Sequence, residues 1–140
     1  MTLPLTINQA LERLNALDGQ PVELEGILDA SHGGGYELLH YPKVERATSY
    51  DRNDSRYRSA LWLAFGDGSL RPNHEALSRW CGKRVRVHGV IRTVNPHPEL
   101  AGFFGSGFGP WGNWPAEVES FILQRVSADA RRDVNSAVSP

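Results

Sequence analysis

Two stretches 63 positions apart carry the same unusual pattern: "GQPVELEGIL" from Gly19 and "GKRVRVHGVI" from Gly82. Gly19 corresponds to Gly82, Val22 to Val85, Leu24 to Val87, Gly26 to Gly89 and Leu28 to Ile91. In each stretch apolar residues alternate with polar ones, the period of a half-buried strand. In each, a glycine takes the place of a side chain on the apolar face. A glycine inside a strand marks a bulge, a bend or the close approach of another backbone. A repeat array would need more copies at a shorter period. Two copies fit a small barrel in which two strands each curl around a corner.

The rest of the chain supplies the other parts of such a barrel. In "TINQALERLNALDG", Ile7, Ala10, Leu11, Leu14 and Leu17 recur at helical spacing, with Thr6 as N-cap and Gly19 past the end. "YELLHY" (Tyr36 to Tyr41) and "SALWLAF" (Ser59 to Phe65) read as strands, and "GDGS" as a turn. "RPNHEALSRWCG" reads as a helix with Pro72 near its first turn and Gly82 after its end. "AEVESFILQRV" is the last strand, and residues 127–140 form a polar tail expected to be disordered. The 14 glycines and nine prolines agree with a turn-rich fold, and 140 residues suffice for one domain, spanning residues 1–126.

The order is helix, three strands, helix, two strands. On Gly19 to Leu28, Leu61 to Phe65, Pro72 to Trp80 and Gly82 to Ile91, the chain resembles the OB-fold superfamily, and in particular small stand-alone bacterial OB-like domains. The resemblance implies an all-β (β-rich α+β) fold. It is a five-stranded Greek-key barrel with an N-terminal helix and a helix between the third and fourth strands. It covers residues 17–126. Two connections are long for such a domain: residues 42–58 and residues 94–114. The resemblance makes the first and fourth strands antiparallel neighbours. Glu23 and Glu25 then face Arg84, Arg86 and His88, so the basic strand is neutralised by its partner.

Chemistry is sparse. The formal net charge is −1, without the basic surplus of a protein that lives on counterion release from nucleic acid. Cys81 is the one cysteine, so no internal disulfide forms, and it reads as a half-buried structural thiol. His32, His40, His74, His88 and His97 share no metal-ligand spacing with one another or with Cys81. Gly107, Gly109 and Gly112 satisfy G-x-G-x-x-G, but Pro110 interrupts the motif and no helix follows. No serine stands in a G-x-S-x-G elbow. The expectation is a non-enzyme with no metal and no cofactor. "MTLPLTINQA" lacks the basic and apolar segments of a signal peptide, and no run reaches membrane-spanning length, so a cytoplasmic location is expected.

The two long connections carry the binding candidates. "YPKVERATSYDRNDSRYR" interleaves Tyr41, Tyr50 and Tyr57 with Arg52, Arg56 and Arg58. "GFFGSGFGPWGNWPAE" sets Phe103, Phe104, Phe108, Trp111 and Trp114 among glycines. Tyrosine beside arginine suits a protein interface and equally suits phosphate contact with base stacking. The alternatives are a solvated loop at 42–58 and, at 94–114, aromatics that cap the barrel end, since several exposed large rings make an unusually large patch. Trp114, next to Pro115 and the last strand, is expected to pack. The expected contact set is Tyr36, Tyr41, Arg52, Arg56, Tyr57, Arg58, Trp62, Phe103, Phe104, Phe108 and Trp111. The function it implies is a non-catalytic module recognising a specific protein, such as an immunity or antitoxin-type protein. The alternative is a single-stranded DNA- or RNA-binding protein using the same face.

Overall fold

A computed structural model describes residues 4–31, 34–46, 50–52, 55–70, 72–93, 108 and 114–126. Strands β1 (Leu5–Thr6), β2 (Pro21–Ala30), β3 (Tyr36–Leu39), β4 (Tyr50–Arg52), β5 (Ser55–Tyr57), β6 (Ala60–Leu70), β7 (Arg84–Thr93) and β8 (Ala116–Arg125) alternate with three short helices. These are α1 (Ile7–Glu12), α2 (Leu14–Leu17) and α3 (His74–Trp80). Strands β2, β3, β6, β8 and β7 pair in that order, and β7 returns to β2. The result is a closed five-stranded barrel, as the β-rich OB-like reading requires.

The two glycine-marked stretches are β2 and β7, and they lie side by side, antiparallel. Their register is nearly two-fold symmetric. Gly26 faces Val85, and Gly89 faces Val22, so each glycine meets the other copy's leading valine. The ends match in the same way: Gly82 N–H donates to Leu28 O (2.7 Å), and Gly19 N–H to Ile91 O (2.7 Å). Both glycines are sites of close approach. A Cβ on Gly26 would stand 2.7 Å from Leu39 O and 2.8 Å from Ile7 Cγ1. One on Gly89 would stand 2.2 Å from Glu119 O. Gly26 is where β2 passes from pairing with β7 alone to pairing with β3 as well. Gly89 is where the β7–β8 register shifts.

Leu24, Leu28, Leu38, Leu61, Val85, Val87, Ile91 and Val118 fill the barrel. Helices close its two ends. Thr6 caps α1 through a full capping box with Gln9, and Ile7, Ala10, Leu11 and Leu14 plug the end at which β7 finishes and β8 begins. There Asp18 Oδ1 accepts from Thr93 N–H (3.0 Å). At the opposite end Leu77 of α3 enters the core.

Three local expectations are corrected. The N-terminal helix is broken at Arg13 into α1 and α2, because Arg13 N–H bonds to Ala10 O (3.0 Å), a tightened last turn. Pro72 lies outside α3, which begins after the N-cap Asn73, whose Oδ1 accepts from Ala76 N–H (2.8 Å). "GDGS" is not a turn. β6 runs through it to Leu70, and a register shift against β8 between Phe65 and Leu70 absorbs the irregularity. The expected tail, residues 127–140, lies outside the described residues.

Candidate binding face

Strands β6 and β8 are parallel, with Trp62 opposite Glu117 and Leu63 opposite Val118. Both strands therefore begin at the same end of the barrel. The long connections precede these two strands, so both are anchored at that end. The first connection is not a plain loop. It contains a 3-10 turn (Lys43–Glu45) and the β4–β5 hairpin, with Tyr50 opposite Tyr57. Val44 on the 3-10 turn is 92% exposed, the most exposed large apolar side chain among the described residues.

The outer face of β3 and β6 beside this end holds a compact cluster. Glu37 is 4% exposed, although the outward parity of the strand would put a carboxylate in water. Arg58 grips it in a fork: Nε donates to Oε1 (3.0 Å) and Nη2 to Oε2 (2.9 Å). Trp114 Nε1–H donates to the same Oε1 (3.0 Å). The rings of Trp62 and Trp114 meet at 4.8 Å between centroids, tilted by 57°, a geometry favoured by aromatic quadrupoles. The Arg58 guanidinium lies 5.8 Å from the Trp114 ring centroid. Gly35, at φ +79°, leaves room for Trp62, whose ring would stand 2.4 Å from a Cβ placed there. Phe108 and Trp114 exchange backbone hydrogen bonds of 2.8 and 3.2 Å. Phe108 is thereby fixed to the same corner.

Of the expected contact set, Arg58, Trp62 and Phe108 come together here, around a Trp114 that packs at 3% exposure. Three others are placed differently. Tyr57, at the end of β5 opposite Tyr50, is buried. Tyr36 turns to the opposite end, its hydroxyl 3.3 Å from His74 Nδ1 of α3. Tyr41 lies under the Arg84 guanidinium at 4.3 Å, on the β7 side. Arg52 and Arg56 stand in the hairpin, their side chains outside the described set. Phe103, Phe104 and Trp111 lie outside the described residues.

The charges of β2 and β7 form the expected ladder. Glu25 is shared by Arg84 and Arg86, and Glu23 stands 3.5 Å from Arg86 and 3.9 Å from His88. On β8, Glu119 holds Arg92 (3.1 Å). Its neighbour Glu117 has its carboxyl pushed above the usual range, mainly by burial, with Arg92 opposing and Glu119 adding to the rise. Burial, with Asp29 nearby, also pushes the Cys81 thiol up, the opposite of what a nucleophile needs. Among the described residues no three His, Cys, Asp or Glu side chains form a metal-holding group, and no helix is long and apolar enough to cross a membrane.

A second feature escapes sequence reasoning. The bulge opposite His88 and Gly89 inserts Phe121 into β8, which turns both Phe121 and Ile122 outward. Phe121 borders a recess of about 620 Å³ walled by Leu5, Leu17, Val22 and Val90.

Comparisons with known proteins add little to this geometry. No family model matches the chain. No curated protein matches it either. Among solved structures it is similar to a DUF3299 family protein from Pseudomonas aeruginosa PAO1, at 14% identity and a TM-score of 0.39, over 80% of this chain and 64% of that one. It is also similar to a putative aspartyl-tRNA synthetase from Leishmania major Friedlin, at 9% identity and a TM-score of 0.41, over 88% of this chain and 20% of that one. The chain thus spans less than two thirds of either protein.

Proposed function

We propose that this chain is a non-catalytic OB-type binding module that recognises a specific protein through the end of the barrel where β6 and β8 begin. The observation that carries the reading is the parallel β6–β8 register, which anchors both long connections at one end. Two further features support it. The barrel end is already filled by Ile7, Ala10, Leu11 and Leu14, so the core there does not need the aromatics of residues 94–113 as a plug. Val44 presents an apolar side chain to solvent on the neighbouring turn. Apolar and aromatic anchors are what a protein interface uses.

A protein partner is favoured over nucleic acid by what the arginines do. Arg58, Arg84, Arg86 and Arg92 are each held by a carboxylate of the same barrel. Trp62 and Trp114 pack against each other at a tilt rather than standing apart as a platform for bases. A nucleic-acid ligand would have to displace these partners before gaining its phosphate contacts. An immunity or antitoxin-type protein, neutralising one cognate partner, is a concrete form of this reading.

The test has two arms. In the first, the full chain is titrated with a labelled single-stranded oligonucleotide at low and moderate salt. Micromolar binding that weakens steeply with salt would replace the protein reading by the nucleic-acid one. In the second, the chain is used to capture partners from cells that carry it, with nuclease present, and the captured protein's affinity is measured. A nuclease-resistant partner whose affinity falls at least about tenfold with Val44→Asp, roughly 1.4 kcal/mol, supports the proposed face. Equal affinity for Val44→Asp and the native chain counts against it.

A further inference from the structure

The turn that carries Val44 is fastened to the N-terminal helix through one buried histidine. His40, the residue after β3, is 3% exposed. Its Nδ1 accepts a hydrogen bond from the backbone N–H of Asn8 (3.1 Å). Asn8 sits in the first turn of α1, where N–H groups have no partner within the helix. Thr6 Oγ1 serves Gln9 N–H in that turn (3.2 Å), and His40, from 32 positions away, serves Asn8. A main-chain N–H only donates. Nδ1 is therefore bare, and the ring proton sits on Nε2. Nε2 is buried without a hydrogen-bond partner, with Glu45 Oε1 at 3.7 Å. Two more bonds complete the fastening: Asn8 Nδ2 donates to Glu45 O (2.8 Å), and Arg46 Nε donates to His40 O (2.8 Å).

We propose that His40 is an acid-sensitive latch that holds the 43–46 turn against α1 and releases it on protonation. The added proton must go to Nδ1, the atom that now accepts. Asn8 N–H then faces a second donor and loses its acceptor, and the ring has to leave its place. The charged groups beside it are Glu45, whose Oε1 stands 3.7 Å from Nε2, and Arg46, whose guanidinium bonds the His40 carbonyl and not the ring. Glu45 is 62% exposed, so an imidazolium that swings outward with the turn can pair with it in water. Histidine is the side chain suited to such switching. The latch itself does not depend on what the turn binds. Its consequence, acid-controlled presentation of Val44, rests on the protein-partner reading above.

The full chain, labelled with nitrogen-15, is followed by NMR from pH 7.5 to 4.5. At pH 7.5 the His40 ring should show the neutral tautomer protonated at Nε2. As it becomes an imidazolium, the hydrogen-exchange protection factors of Asn8, Glu45 and Arg46, whose N–H groups bond His40 Nδ1, Pro42 O and Lys43 O, should fall together, by at least about tenfold. His40→Asn puts an amide oxygen near the position of Nδ1 and does not titrate, so protection at Asn8 should then persist across the range. The latch is overturned if His40 protonates while protection at Asn8, Glu45 and Arg46 is unchanged, or if His40→Asn loses protection over the same range as the native chain. An acid-opened turn that leaves partner affinity unchanged would refute the binding face and leave the latch standing.

Discussion

The barrel carries two sets of arginine–carboxylate pairs that look alike in sequence and differ in physics. On β2 and β7, Glu23 and Glu25 meet Arg84, Arg86 and His88 along a partly exposed ladder; the Arg86 and Glu23 side chains are 38% and 34% exposed, those of Arg84 and Glu25 24% and 14%. On β3, Glu37 meets Arg58, and here the carboxylate is 5% exposed beneath two tryptophans. At Glu23 water reaches both charges, so pairing there adds only about 0.2–1 kcal/mol per contact; the Glu25 pairs, with Glu25 14% and Arg84 24% exposed, lie between this case and that of Glu37. Under the tryptophans water cannot replace a missing partner. The carboxylate there depends on Arg58 and the Trp114 indole N–H for every hydrogen bond described to it. Burial, not residue type, decides which pair the fold relies on.

The largest effect should follow from Arg58→Ala. It strands a buried carboxylate with one remaining donor. Breaking a fully buried pair costs about 3–5 kcal/mol. Arg58 is half exposed, which lets water reach part of the site, so a loss near about 3 kcal/mol is expected. Chemical denaturation read by tryptophan fluorescence would measure it, because Trp62 and Trp114 report the same corner. Glu37→Gln should cost less, since the amide oxygen still accepts from Trp114 and the freed guanidinium reaches solvent. If Glu37→Gln were the more damaging of the two, the cluster would be held by arginine's charge rather than by the carboxylate's need for donors.

Gly35→Ala comes next. The new Cβ collides with the Trp62 ring, and alanine strains at φ +79°. A loss of about 2 kcal/mol is expected, within the range for a strained backbone position. The blow falls on the tryptophan stack and leaves the ladder untouched. Native-like fluorescence in this variant would mean that the ring has room to yield.

Much of this contrast was legible in the sequence, and the missing part has a physical cause. The doubled glycine-marked stretch predicts two kinked strands, because period and kink are local properties; that β2 lies beside β7 is what the OB resemblance implies, and the ladder follows from that pairing. The buried pair does not follow. In "YELLHY" a glutamate at an outward position reads as solvated, and its burial depends on Trp114, 77 positions away. His40 is similar: nothing local announces that a histidine caps a helix 32 positions upstream. The β8 bulge is a third case. Strict alternation in "AEVESFILQRV" sends Ile122 inward, yet one inserted residue turns it out and brings Leu123 in. The 42–58 segment reads as a loop because its hairpin strands have three residues each, too few to show a period.

Arg86→Ala should cost less than about 1 kcal/mol, because Glu23 is 34% exposed and the more buried Glu25 keeps Arg84, and the share of the loss that comes from Glu23 should shrink with salt. Comparing it with Arg58→Ala at 0.05 and about 1 M salt sharpens the contrast. The Arg58 variant's deficit should stay nearly constant. If both deficits fade together, Glu37 is far better solvated than its burial implies.

The smallest effect concerns Glu117, where neither class of pair is made. It stands beside Glu119, which takes Arg92 for itself, and burial raises its carboxyl above the usual range. The folded chain thus holds this proton more tightly than the unfolded chain does. Between the ordinary carboxylate value, about 4.3, and the raised one, the native state binds more protons, so stability falls as pH increases. The contribution is fully present below the ordinary value and is lost as pH climbs through the raised one. Other carboxylates, held by arginines, work in the opposite direction, so the difference between two proteins isolates the effect. Denaturant midpoints for native and Glu117→Gln chains should converge at low pH. They should separate in favour of the glutamine variant as pH rises through this window. Parallel curves would mean that Arg92 serves both glutamates, and that the outer face of β8 is a ladder of the β2–β7 kind after all.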